Sequence, residues 1–263
     1  MPVNAITGLG VSAAYGSTQV LSRSDFTIPE GGITALIGPN GSGKSTLLAM
    51  IAGLHPLASG NIDILPVDGR PRRLAYVFQS TKVNDTLPVT VREVVAMGRY
   101  PTTGPRRRFT PEDHRIVDDA LQRMGIADLQ ARHLKELSGG QRQRVFVAQG
   151  LAQDHDVLML DEPLTGLDMP SARAIDDVIH DENSRGCTVI ITTHDLSEAR
   201  RSDHVILLAG RVVSNGPPAD ALADEHLTAA YGPHLLHDET ATPLIDDPAH
   251  ITRQSHRHRP RPG

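Results

Sequence analysis

Cysteine, long apolar runs and surplus positive charge are all scarce in this chain of 263 residues, and each shortage excludes something. The single cysteine, Cys187, rules out an internal disulfide and fits a reducing compartment. No stretch approaches the roughly 18 apolar residues that span a bilayer, and Val157 to Leu160 is only strand-length. Met1 to Leu9 has neither a basic lead nor an apolar signal core, so secretion is not expected. Lys and Arg number 26 against 31 Asp and Glu, and the net charge of −5 argues against a dedicated nucleic-acid binder. What is present, 39% hydrophobic and 22% charged residues, belongs to a globular chain long enough for one large domain or two small ones.

Strand and helix periods alternate along most of the chain. Ile33 to Ile37 is a short apolar run bounded by glycines, the pattern of a buried strand. Lys44 to Ala52 reads as a helix closed by Gly53 and followed by Pro56. Val157 to Leu160, Thr188 to Thr192 and Val205 to Ala209 are further β-rich runs between helical stretches. Strands apolar on both faces, alternating with helices, predict a mainly parallel α/β sheet. The middle differs. Thr110-Pro111-Glu112-Asp113 offers a capping hydroxyl, proline at the first helical position and acids in the first turn. Ile116, Val117, Ala120, Leu121 and Met124 follow at helical spacing, and Gly125 suits the C-terminal cap. With a second short helical pattern at Val91 to Met97, residues 85–140 read as a helical subdomain inserted between strands. From Pro233 to the end, Pro, Asp, His and Arg prevail with little period, as in a flexible tail.

Gly38-Pro39-Asn40-Gly41-Ser42-Gly43-Lys44-Ser45-Thr46 is a glycine-rich phosphate loop placed between a predicted strand and a predicted helix. Its glycines let backbone N–H groups turn inward around a β-phosphate, and the helix N-terminus adds positive partial charge. Lys44 supplies a point charge for the β- and γ-phosphates, and the Ser45 hydroxyl can ligate Mg²⁺. The apolar run Val157 to Leu160 ends in Asp161 and Glu162, which puts two carboxylates at the carboxyl edge of the sheet. An acid there is ordinarily just a strand end. Paired with the loop, Asp161 would hold Mg²⁺ through water and Glu162 would orient or deprotonate the attacking water.

Leu137-Ser138-Gly139-Gly140-Gln141 opens another helix, which runs through Ala152. A serine cap and two glycines at a helix N-terminus make a second anion site. This pentapeptide resembles the signature of the ATP-binding-cassette (ABC) family, and the resemblance covers residues 3–232. It implies an α/β fold: a P-loop NTPase core with a mainly parallel sheet, an N-terminal antiparallel β subdomain and the inserted helical subdomain. It also implies a head-to-tail homodimer in which Ser138 and Gly140 of one copy contact the γ-phosphate held by the other. ATP with Mg²⁺ then joins the copies, and hydrolysis releases them. By the same resemblance Tyr15, 29 positions before Lys44, stacks on adenine. Gln79 reaches Mg²⁺ and reports to the helical subdomain. Thr165-Gly-Leu-Asp168 resembles the loop joining the two active sites, and His194, within Thr-Thr-His-Asp, the switch histidine on the γ-phosphate.

Only 94 positions separate Lys44 from Ser138 and no heptad run appears, unlike the chromosome-structure and repair members of that family. There is one set of motifs, unlike the translation members, and no membrane helix, unlike fused exporters. The resemblance therefore implies a cytoplasmic engine subunit, peripheral on the inner face of the cell membrane. Its implied partners are integral membrane permease subunits and an extracytoplasmic metal-binding protein, with no nucleic acid. Leu87 to Tyr100 resembles the zinc/manganese importer ATPases. Arg92-Glu-Val-Val and Gly98-Arg-Tyr-Pro101 are similar to the iron-chelate and cobalamin engines as well. Thr165-Gly-Leu-Asp168 favours the first group over the iron-chelate engines. Within that group zinc is expected ahead of manganese. The alternatives are a soluble ABC protein acting on nucleic acid or a protein assembly, and a module that holds ATP without hydrolysing it. Of thirteen histidines, His226, His234, His237, His250, His256 and His258 fall in or beside the tail, and no pair has the spacing of a rigid zinc site. A solvated tail is expected, with weak zinc sensing by His256 and His258 as the alternative. Arg106-Arg107-Arg108 reads as a solvated turn, or else as a contact for acidic lipid headgroups or a channel loop.

Overall fold

A computed structural model describes residues 3–78, 88–103 and 108–232. Gln79, Leu87, Arg106, Arg107 and the whole tail from Pro233 lie outside the described residues. Six strands form one sheet: β3 (Ile33–Ile37), β5 (Leu74–Val77), β6 (Val157–Leu160), β7 (Thr188–Thr193), β8 (His204–Leu208) and β9 (Val212–Gly216). Their order is β5-β6-β7-β3-β8-β9, with every neighbouring pair parallel except β8 and β9. The expected mainly parallel α/β sheet is therefore observed. Strands β3, β6, β7 and β8 are buried at every position. Alternate residues serve different cores. Ala35, Ile37, Leu158, Leu160, Val189 and Ile191 enter one; Leu36, Val157, Met159 and Ile190 enter the other. Burial on both faces is why these strands read as unbroken apolar runs.

The second core is closed by a three-stranded antiparallel sheet in the order β2-β1-β4, and by α1 (Lys44–Ile51). Those strands are β1 (Asn4–Tyr15), β2 (Thr18–Pro29) and β4 (Ser59–Ile64). The first core is covered by helices. Between β5 and β6 in sequence come α2 (Val91–Ala96), the short α3 (Tyr100–Thr103), α4 (Pro111–Arg123) and α5 (Gly139–Leu151); α6 (Met169–Ser184) follows β6. Among the described residues, Val94, Leu121 and Val145 of these helices pack in the same cluster as Leu158 and Ile191. Helix α5 ends at Leu151, next to the Ala152 end expected for the signature helix.

Helix α4 begins as its sequence demands: Thr110 Oγ1 accepts from the Asp113 N–H at 3.2 Å, and the Asp113 carboxylate accepts from the Thr110 N–H at 2.9 Å. Buried Arg99 then donates to Asp113 at 3.0 Å, to the Ala152 carbonyl at 2.9 Å and to Asp154 at 3.1 Å. One guanidinium thus ties the start of α4 to the chain leaving α5.

Candidate nucleotide site

The loop from Gly38 to Gly43 connects β3 to α1 at the carboxyl edge of the parallel sheet. Gly38 passes so close to the end of β8 that a Cβ there would lie 2.0 Å from the Leu208 carbonyl oxygen; only glycine fits. Lys44 is 5% exposed and its Nζ donates to the Gly38 and Pro39 carbonyls at 2.8 and 3.2 Å. Burial lowers the Lys44 pKa from its ordinary value, while the Glu162 and Asp161 carboxylates oppose that shift. The Ser42 hydroxyl is buried without a hydrogen-bond partner among the described residues. Residues 40–46, with Val20 and Glu162, line a cleft of about 160 Å³.

The register of β6 on β7 places Leu160 beside Ile191, so the next residues along, Asp161 and Thr192, meet. Thr192 Oγ1 donates to Asp161 Oδ1 at 2.7 Å and accepts from the Glu162 N–H at 2.7 Å. Ser45 Oγ donates to the same carboxylate oxygen at 3.0 Å. The Tyr76 hydroxyl reaches Asp161 Oδ2 at 3.4 Å, and burial, with Asp161 beside it, pushes the phenol pKa upward. Glu162 has a φ of 49°, the left-handed region that glutamate rarely visits, and its N–H bond to Thr192 helps to hold it there. Ser45 and Asp161 are hard oxygen donors, the kind Mg²⁺ takes, so the residues present fit that ion. The structure brings Lys44, Ser45, Asp161 and Glu162 together as expected. Thr192 was legible only as part of the setting of His194; its own role needs the strand register.

Other expected residues stand apart from this cluster. Tyr15 ends β1 with its ring 58% exposed, tilted against the His55 ring at 4.4 Å between centroids. His194 is exposed just beyond β7. Ser138 caps α5: its Oγ accepts from the Gln141 N–H at 3.3 Å, while Gln141 Oε1 accepts from the Ser138 N–H at 3.0 Å. Leu137 is buried, Ser138 and Gly139 are exposed, and Gly140 is buried. A Cβ on Gly140 would lie 2.3 Å from Asp168 Oδ1, so Asp168, which starts α6, abuts the signature of its own chain. None of Leu137 to Gln141 lines the phosphate-loop cleft. A separate apolar groove of about 210 Å³ runs past Tyr76, Phe78, Val89, Met97, Leu134 and Phe146. Among the described residues no helix is long and apolar enough to cross a membrane.

Residues 21–165 match the family model described as ABC transporter. Over 225 residues the chain is 41% identical to the zinc transport system ATP-binding protein TroB of Treponema pallidum (strain Nichols), covering 84% of this chain and 85% of that one. Over 228 residues it is 38% identical to the manganese transport system ATP-binding protein MntB of Bacillus subtilis (strain 168), covering 86% and 91%. Among solved structures, cbiO1 from Clostridium perfringens, part of the ABC transporter complex cbiONQ, superposes with a TM-score of 0.67 at 29% identity, covering 86% of this chain and 93% of that one. With a phosphate loop, paired strand-end acids and a capped signature helix in one described fold, this chain belongs to the ABC transporter family, as an ATPase whose hydrolysis of ATP is coupled to transport.

Proposed function

We propose that this chain is the ATP-hydrolysing subunit of an importer for a divalent metal ion, zinc first and manganese second. The observation that carries the reading is the hydrogen-bonded run Ser45–Asp161–Thr192–Glu162, which locks the phosphate loop to two strand ends. ATP would lay its phosphates along residues 38–46, with adenine on the exposed Tyr15 ring. Lys44 would exchange its two carbonyl partners for β- and γ-phosphate oxygens. Ser45 and Asp161, with Gln79, would hold Mg²⁺, which when bound neutralises phosphate charge. Glu162 orients the attacking water and accepts its proton; Thr192 fixes its backbone. His194 would touch the γ-phosphate. The exposed Ser138 and Gly139, with Gly140 behind them, would close on the nucleotide of a second copy in a homodimer, and Asp168 would link the two sites.

The apolar groove, where Phe78 is 49% exposed, supports docking of a membrane permease's cytoplasmic segment, and so a peripheral position on the inner face of the membrane. For the cargo, the zinc-named relative stands at 41% identity against 38% for the manganese-named one. An extracytoplasmic metal-binding protein would present that ion. The test reconstitutes the chain with its permease in proteoliposomes and measures ATP hydrolysis with the binding protein loaded with Zn²⁺, Mn²⁺ or a ferric chelate. Zn²⁺ should stimulate most. Greater stimulation by Mn²⁺ reverses the cargo order, and stimulation by the chelate alone overturns the divalent-ion reading.

A further inference from the structure

Strands β3, β6 and β7 run parallel, and the phosphate loop and Asp161 follow their carboxyl ends. At the opposite edge, Cys187 immediately precedes β7, His155 lies two residues before β6, and Glu182 sits in the last turn of α6. Their sulfur, nitrogen and oxygen ligand atoms all lie within 4.8 Å of one another. Cys187 is 7% exposed, as are the side chains of His155 and Glu182. His155 Nδ1 lies 2.7 Å from the Gln153 carbonyl, which only accepts, so Nδ1 carries a hydrogen and the ring is oriented by it. Nε2 then faces Glu182 Oε2 at 2.9 Å, and two acceptors at that distance need a cation between them, a proton or a metal.

We propose that Cys187, His155 and Glu182 form a Zn²⁺ site, distinct from the nucleotide site and from any transported ion. Thiolate, imidazole and carboxylate are donors that zinc accepts together, and the thiolate disfavours Mg²⁺ and Ca²⁺. Zinc–ligand bonds of 2.0–2.3 Å set tetrahedral donors roughly 3.3–3.7 Å apart. The present spacings, from 2.9 Å up to 4.8 Å, bracket that range, so side-chain adjustment suffices. Cys187 Sγ now sits 3.5 Å from the Asp156 and Thr188 carbonyls; when the metal binds, the thiol proton and the proton between His155 Nε2 and Glu182 Oε2 both leave to solvent. Charge balances: two anionic ligands meet Zn²⁺, while Arg123 is held at 2.5 Å by both Glu182 Oε1 and Asp181. Arg185 lies 3.5 Å from Glu182 Oε1 and 3.2 Å from Asp181, so Oε2 is the oxygen turned to the metal. The ion would pin the end of α6 opposite Asp168 to the amino ends of β6 and β7. This inference rests on donor chemistry and stands whichever cargo is transported.

Because Cys187 is the only cysteine, a thiolate-to-cobalt charge-transfer band reports this site alone, even though the tail histidines can bind cobalt too. Co²⁺ titrated into the metal-free full chain should develop that band at one equivalent, and Zn²⁺ should bleach it. Cys187→Ser should abolish the band, and His155→Gln or Glu182→Gln should weaken binding at least tenfold. Zn²⁺ at a hundredfold excess over Kd should raise the melting midpoint of the wild type by roughly 5–10 °C, and should leave Cys187→Ser unshifted. If Cys187→Ser does not fold, the His155→Gln comparison decides. A cobalt-saturated wild type without the thiolate band, or a band indifferent to His155→Gln and Glu182→Gln, overturns the site.

Discussion

The phosphate loop and the signature segment are both glycine-bearing helix starts, and their surroundings are opposite. Ser42 and Lys44 are 4% and 5% exposed, and Ser45 is bonded across to Asp161. Ser138 and Gly139 are exposed, and the capping side chains of Ser138 and Gln141 bond back to the start of their own helix α5. A helix start that is knitted into a sheet can grip a phosphate with its own chain's groups. One that is capped, outward-facing and backed by Asp168 is finished as structure and open as a binding surface. That contrast supports the proposal that the two segments meet phosphates on different copies.

Lys44→Ala is the sharpest break on the buried side. It removes the charge proposed for the β- and γ-phosphates, and steady-state phosphate release should fall roughly a hundredfold or more. Unchanged turnover would remove Lys44 from the site. Glu162→Gln comes next, with a comparable loss of turnover, on the order of a hundredfold, and intact nucleotide binding. It should trap an ATP-joined pair that elutes at twice the monomer mass in size exclusion. A monomer under saturating Mg·ATP would sink the two-copy reading of the exposed side.

Gly140→Ala separates the two segments directly. Its methyl would press on Asp168 Oδ1 at 2.3 Å and Ser171 Oγ at 2.6 Å, a strain of about 1–3 kcal/mol. Turnover should drop about tenfold, a rise of about 1.4 kcal/mol in the barrier, while nucleotide affinity of the single chain stays within about twofold. Parallel loss of binding and turnover would show that loop and signature cannot be separated.

Legibility followed the same physical divide. The phosphate loop could be read because close backbone packing, such as Gly38 against Leu208, forces glycine at fixed positions. Strands β3, β6, β7 and β8 could be read because two buried faces leave no polar alternation. The antiparallel sheet came only from family resemblance. β1 carries Gly8 and Gly10 and shifts register against β2, and the Phe26 ring fills the space that a Gly8 side chain would take. Such a strand has no clean period of two. Thr192 escaped notice because its two bonds exist only once β6 and β7 are paired. His155 escaped for a related reason: it lies 27 positions from Glu182, and nothing local joins it to the neighbouring Glu182 and Cys187.

The smallest effect probes how the signature side is fastened to the rest. The Asp113 carboxyl takes hydrogen bonds from the Thr110 side chain and backbone and from Arg99, and these hold its pKa down at about 2. A carboxyl depressed in the folded state contributes its full stabilisation above the unfolded value of about 3.9. That contribution is lost as pH falls towards the folded value of about 2. The helix it caps, α4, packs on the signature helix α5, and Arg99 carries the connection on to Ala152. Asp113→Asn keeps the shape and removes the charge. Its urea midpoint should lie below the wild type's at pH 6, and the gap should close as pH falls through 4 towards 2. Binding of a non-hydrolysable nucleotide analogue at the phosphate loop should be unaltered by Asp113→Asn at pH 6, because neither Thr110 nor Asp113 lines that cleft. A midpoint gap that stays constant with pH would mean that Asp113→Asn acts through the acceptor oxygen it removes, and that the charge of Asp113 does not fasten α4.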